Sequence, residues 1–243
     1  MNIIKLNAID STNSYLIELI KSTLLKDETI VLAKEQTKGR GQMGASWYSK
    51  KGETLTFSIL KKFNSFPIMS QANISLAVSL GIQKALTTLF VSEVSIKWPN
   101  DILSDEKKMA GILIENQVKQ GNVSSSIIGV GLNVNNDFFE NLPQATSMYI
   151  SSKKKYNLDL VLNVMCDCIL FELSQLEHTN FSILKEQYER FLFRKDKITV
   201  FENLSGEKFN GKIKGINQTG QLLIETEDNP LQEFNLREIK MLY

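Results

Sequence analysis

Cysteine and histidine are scarce in this chain: Cys166, Cys168 and His178 are all that 243 residues contain. At i, i+2 spacing in an apolar helical stretch the two thiols fall on different helix faces, so they do not pair with each other. Two thiols and one imidazole also cannot build the usual four-ligand zinc site. They read instead as core or boundary residues in a reducing compartment. A Cys–His or Ser–His nucleophilic constellation is missing as well. Apolar runs stay below about 18 residues, and the N-terminus lacks the charged-then-apolar pattern of a secretion signal, so the expected location is cytoplasmic with no membrane contact. Charge of one sign is not in excess either. The 28 Lys and Arg against 27 Asp and Glu leave +1, which removes the global basic field that non-specific DNA binding relies on. Any nucleotide contact must come from local chemistry.

What is present is an ordinary soluble composition, 42% hydrophobic and 23% charged, long enough for one sizeable core and a small extra domain. Ile3 to Ala8 reads as a strand, and Asp10-Ser11-Thr12-Asn13 offers several N-caps for a helix over Ser14 to Lys21. Further strands are expected over Thr29 to Glu35 and Glu53 to Leu60, the latter alternating through Leu55, Phe57 and Ile59. Ser70 to Phe90 is a long helix. Val94 to Lys97 is a strand stopped by Pro99, and Asp101 to Leu103 with Met109 to Asn116 forms a hairpin around a charged tip, Ser104 to Lys107. Another strand, Ser124 to Val134, carries Gly129 and Gly131, and two helices follow over Leu158 to Leu176 and Phe181 to Phe191. The mixed order predicts an α+β domain over residues 1–193. From Lys195 the texture changes to short strands between Gly, Asn and Pro turns: Lys197 to Phe201, Lys208 to Ile216, Leu222 to Thr226 and Gln232 to Leu236. That pattern predicts a small SH3-like β-barrel over 194–243.

Two segments carry chemistry. Gly39-Arg40-Gly41-Gln42-Met43-Gly44 with Trp47 offers free backbone N–H groups and a guanidinium. Lys97-Trp98-Pro99-Asn100-Asp101, followed by Lys108-Met109-Ala110-Gly111, brings two lysines, an amide and a carboxylate close together. A carboxylic acid joins an amine at neutral pH only once its oxygen becomes a leaving group. Attack on the α-phosphate of ATP achieves that, giving an acyl adenylate and pyrophosphate. Because two anions must meet in line, the site needs bridging cations, backbone donors and usually Mg²⁺. Taken singly each feature has a plain structural reading: a turn for Gly-x-Gly, a strand-end lysine for Lys97, one more surface charge for Lys108. Asn100 and Asp101 equally suit a nucleotide edge, a metal, or the turn after Pro99.

In that order and spacing the motifs resemble the biotin protein ligases, enzymes that biotinylate carboxyl-carrier domains. The resemblance rests on Asp10 to Asn13, Gln36, Gly39-Arg40-Gly41, Trp47, Lys97 to Asp101, Lys108 to Gly111 with Ile114 and Glu115, Gly129-Val130-Gly131-Leu132-Asn133, and Leu236-Arg237. It implies a mixed sheet packed with helices, of class II synthetase type, followed by the small barrel. It also implies that Ser11, Thr12, Asn13 and Gln36 meet the biotin ureido ring, a neutral group that needs paired donors and acceptors. Gly39, Arg40, Gly41 and Gln42 would form the loop over biotin and the adenylate phosphate, with Lys108 and Gly111 beside the activated carboxyl. Arg40, Lys97, Trp98, Asn100, Asp101, Asn133 and Arg237 would hold ATP, and Asp101 a Mg²⁺. The catalytic cations would be Arg40, Lys97 and Lys108. Trp47 is expected to pack the glycine loop rather than touch substrate.

The implied partner is a biotin carboxyl carrier domain, whose lysine is the only nucleophile the second step requires. Exposed β edges could receive the carrier or a second copy, and the sequence leaves monomer and weak homodimer both open. Since the catalytic pattern starts within ten residues of Met1, a DNA-reading module is not expected. A lipoate or octanoate ligase, the alternative on a similar fold, carries a histidine shortly after its glycines, whereas His178 lies far from the loop. A non-catalytic biotin-binding relative is disfavoured by the full set of cations. One departure stands out: the family usually has Arg where this chain has Gln42, which hydrogen-bonds without the charge that retains an acyl phosphate. Gln42→Ala is expected to speed release of biotinyl-AMP, followed by stopped flow; unchanged release would remove Gln42 from any retaining role.

Overall fold

The computed structural model describes residues 2–243. Seven strands form one mixed sheet: β1 Asn2–Leu6, β2 Thr29–Ala33, β3 Thr54–Pro67, β4 Val94–Lys97, β5 Asp101–Ser104, β6 Lys107–Lys119 and β7 Asn122–Asn133. Their order across the sheet is β1-β2-β3-β7-β6-β5-β4. Only β1 and β2 run parallel; every other neighbour in this sheet is antiparallel.

Alternation divides the sheet into two faces. On one side Leu55, Phe57 and Ile59 of β3 join Ile128, Val130 and Leu132 of β7 under two long helices, α2 Gln71–Thr88 and α4 Leu158–Gln175. On the other, Leu60 and Ile127 meet Leu16 of α1, Thr12–Ser22. Most of the remaining cavity-side positions are small or polar, Ser58, Gly129, Gly131 and Gly111, with Leu113 beside Gly129. Those residues leave a hollow over this face of the sheet while the aliphatic face is closed by helices. A short α3, Met148–Ser152, and α5, Phe181–Arg190, complete the helical layer.

A second, antiparallel sheet contains β8 Ile198–Asn203, β9 Lys208–Ile216, β10 Leu222–Glu225, β11 Gln232–Phe234 and β12 Ile239–Leu242, ordered β11-β10-β9-β8-β12. Phe201, Phe209 and Phe234 stack in succession within it, and the five antiparallel strands are compatible with the expected SH3-like barrel. Glu189 at the end of α5 pins it to the helices, accepting from Ile216 N at 3.0 Å and pairing with Lys195 at 3.3 Å. The indole of Trp98 donates to Gly220 O at 2.9 Å across the same seam.

The expected elements are present, with differences that have local causes. Helix α1 starts two residues early because Ser11, of the four candidate caps, is the one whose hydroxyl accepts from Ser14 N. The hairpin tip shrinks to Asp105-Glu106, both left-handed at φ 50° and 60°, a conformation hairpin twist favours. Strand β3 runs on to Pro67 because its polar half pairs with the start of β7. Among the α-helices and strands, α3, capped by Ser147, and β12, which pairs with β8, were not expected.

Helices α2 and α4 cross where Gly81 allows it. A Cβ there would stand 2.6 Å from Ile169 Cα and 3.0 Å from Cys168 O. Burial raises the Cys166 thiol on the same helix to about 12, so it stays protonated. Gly81→Ala is expected to cost about 1–3 kcal/mol through overpacking of rigid backbone, measurable by urea unfolding.

Candidate active site

Cross-strand register lays the site out in a line. Thr56, Gly131, Gly111, Asp101 and Lys97 are direct partners across β3, β7, β6, β5 and β4, so they share one face. Ser58 and Gly129 form the next pair. A cavity of about 600 Å³ opens over this face. Its walls include Ser11, Thr12 and Gln36 at one end and Asp101 and Lys108 at the other, with Arg237 from the turn between β11 and β12.

At the neutral end the polar groups are dense and matched. Gln36 Oε1 accepts from Thr12 N at 2.8 Å and from Thr12 Oγ1 at 3.0 Å. Ser58 Oγ lies 2.7 Å from Thr12 Oγ1 and 2.6 Å from Asn13 Oδ1. Two hydroxyl protons thus serve three contacts, which leaves acceptor capacity here for a ligand N–H. Asn13 itself is 2% exposed; its Nδ2 is spent on Leu113 O and Glu115 Oε2.

The charged end is built around Asp101. Lys108 Nζ stands 2.6 Å from its Oδ1 and Lys97 Nζ 3.6 Å from its Oδ2. One carboxylate therefore holds two ammonium groups side by side. The Lys108 backbone is clamped in turn: Lys108 N donates to Gln144 O at 2.7 Å and Thr146 N to Lys108 O at 2.9 Å. Asn133 Nδ2 donates to Thr146 O at 3.0 Å. Lys97 lies over the Tyr243 ring, 5.2 Å from its centroid; burial, then Asp101 and Glu106, raise that phenol above its ordinary value.

The glycine loop folds down over the sheet. Trp47 N donates to Gly39 O at 2.9 Å and Gly41 N to Ala45 O at 2.7 Å. Met43 takes the left-handed turn at the tip, φ 60°. The Trp47 backbone pairs with the loop, as expected, but its indole lies across Gly131 and Gly111, where any Cβ would meet it. It lines the cavity. Strand glycines are the signal for such a close approach.

Most of the expected residues are brought together, with exceptions. Gly39, Lys97 and Asn133 do not line the cavity: Gly39 lies under the Trp47 carbonyl, and Asn133 is buried against Thr146. Trp98 and Asn100 line it, but their side-chain donors are committed to Gly220 O and Ile112 O. Arg40 reaches Glu115 and Ser14 rather than the two lysines. Three contributors were not singled out for a role from the sequence: Ser58, Glu115 and the Gln144–Thr146 segment. Among the described residues, three or more His, Cys, Asp or Glu side chains nowhere gather as a metal cage, and no helix is long and apolar enough to cross a membrane.

Residues 6–133 match the model of the Biotin/lipoate A/B protein ligase family, and the chain belongs to that family. It is 31% identical over 204 residues to the bifunctional ligase/repressor BirA of Bacillus spizizenii, covering 82% of this chain and 62% of the relative. It is 29% identical over 229 residues to BirA of Escherichia coli, covering 91% and 68%. The chain thus spans about three fifths of the length of the Bacillus protein. The biotin protein ligase from Aquifex aeolicus, solved in complex with biotin and ATP, superposes with a TM-score of 0.81 at 28% identity, over 99% of this chain and 98% of that one.

Because the indole rests on Gly131, Gly131→Ala is expected to lift Trp47 and the loop. The surroundings of Trp47 should change accordingly, seen as a shift of tryptophan emission relative to the parent protein.

Proposed function

We propose that this chain is an ATP-dependent biotin protein ligase that modifies a carboxyl-carrier domain. One observation carries the reading: a single cavity holds a neutral hydrogen-bonding end at Thr12 and Gln36 and a cationic end at Lys108, whose partner Asp101 also pairs with Lys97 outside the lining. That polarity suits an acid with an uncharged polar head and a carboxylate tail. The Aquifex aeolicus structure with biotin and ATP, similar over nearly the whole chain, supports the choice of biotin. Relatives named biotin–[acetyl-CoA-carboxylase] ligase, such as that of Mycobacterium tuberculosis, 34% identical over 141 residues, support a carboxylase carrier as partner.

In this reading Ser11, Thr12 and Gln36 orient the ring, and Trp47 covers the chain of the acid. Lys108 lowers the repulsion between its carboxylate and the α-phosphate, and Lys97 adds charge from beyond Asp101. The carboxylate oxygen attacks phosphorus, the bond to the β-phosphate oxygen breaks, and pyrophosphate leaves. The carrier's neutral lysine amine then attacks the activated carbonyl; AMP departs and the ammonium loses one proton. Asp101 is the one carboxylate between these lysines, and each of its oxygens faces an ammonium. Mg²⁺ would be supplied with the nucleotide as MgATP and would offset phosphate charge. Residues 1–193 would perform this chemistry, and 194–243 would close the nucleotide side through Arg237.

The test is intact mass of a biotin carrier domain after incubation with the protein, MgATP and either biotin or lipoate. We expect a gain of one biotin, abolished in Lys108→Ala. A gain only on a lipoyl domain with lipoate would move the chain to the sister activity, and none on either would overturn the ligase reading.

A further inference from the structure

Glu115 is used by no step above, yet it holds two segments at once. Arg40 is the one charged side chain between Lys38 and Lys50, and its Nη2 meets Glu115 Oε1 at 2.6 Å while Nη1 donates to Ser14 Oγ at 3.0 Å. Glu115 is rooted in the sheet, opposite Ile127 of β7. Its other oxygen accepts from Asn13 Nδ2 at 2.8 Å. From Asn13 the contacts run through Ser58 and Thr12 to Gln36 Oε1. The circuit leaves the glycine loop at Arg40 and returns to its base at Gln36, with Glu115 as its only carboxylate.

We propose that Glu115 is a positioning residue, the sheet-borne half of a clasp that holds the glycine loop over the site through Arg40. The ligand named here rests on the ligase reading; the clasp itself does not. Arg40 then serves the reaction by placing Gly41 and Trp47, with its charge compensated, and the cation that meets carboxylate and phosphate is Lys108. A loop with one ion pair to a rigid sheet has a clasped and an open arrangement, and removing the carboxylate raises the open population. The alternative has the opposite sign. If Arg40 acted directly on the phosphate, Glu115 would compete for it, and removing Glu115 would tighten retention.

Glu115→Gln separates the two, since it keeps shape and removes charge. With both partners partly exposed, its release of biotinyl-AMP is expected to rise about three- to tenfold. Pyrophosphate formation at saturating biotin and ATP should stay close to the parent rate, so the effect appears in retention and the biotin KM. Tryptic cleavage after Lys38, in ligand-free protein, should accelerate by a similar factor. The charge swap, Arg40→Glu with Glu115→Arg, should restore protection and retention, which a direct phosphate contact would not allow. Ser14→Ala, losing only the hydroxyl contact, should move both readouts the same way by less. Unchanged or slower release from Glu115→Gln, with cleavage also unchanged, overturns the clasp. Should the parent protein form no biotinyl-AMP, the ligase reading falls, and the ligand-free proteolysis still decides the clasp.

Discussion

The whole site depends on one close approach, that of the Trp47 indole to the sheet at Gly131 and Gly111. These two glycines are cross-strand partners, so the space where two side chains would stand admits a flat ring instead. The ring brings residues 39–47 with it, and the loop backbone becomes the roof of a cavity whose floor is a bare sheet. Aliphatic residues on the reverse face of the same strands make that floor rigid by packing under α2 and α4. Packing on one face thus makes the other face available for binding.

Electrostatics around the cavity follow a consistent pattern of compensation. Lys97 and Lys108 share Asp101, and Arg40 is held by Glu115. Three cations against two carboxylates leave this network with one positive charge, enough to favour an anion without leaving unpaired like charges against one another. Asp101 is what allows two ammonium groups to stand side by side before any anion arrives. The clasp at Glu115 separates loop placement from charge stabilisation, so the two tasks fall on different cations. The second sheet contributes from outside, with Glu189 and Trp98 fixing its position and Arg237 reaching the rim.

Nearly every strand and helix was legible as a pattern. Leu55, Phe57 and Ile59 alternate, Ser11 supplies a cap, and Pro99 closes a strand. Elements without a pattern were not: β12 is four residues long and exists only because β8 offers it an edge, and α3 is a single capped turn. The line of Thr56, Gly131, Gly111, Asp101 and Lys97 was equally hidden, since register depends on which strands become neighbours. Residues such as Asn133 and Asn100 can bind a ligand or tie backbone together, and an amide carries no local mark of which it does. Here both donate to neighbouring backbone carbonyls.

The sequence by itself determined the chemistry available: a glycine loop with one guanidinium, two lysines near one carboxylate, and motifs whose order identifies the family. Only the tertiary structure decided which partners those groups take. Ion pairs and hydrogen bonds form between side chains that folding brings within about 3 Å, regardless of their separation along the chain. Arg40 and Glu115 lie seventy-five residues apart, and nothing local to either predicts the other. Their meeting is a consequence of β6 running beside β7 under the first turn of α1, and that is settled by packing.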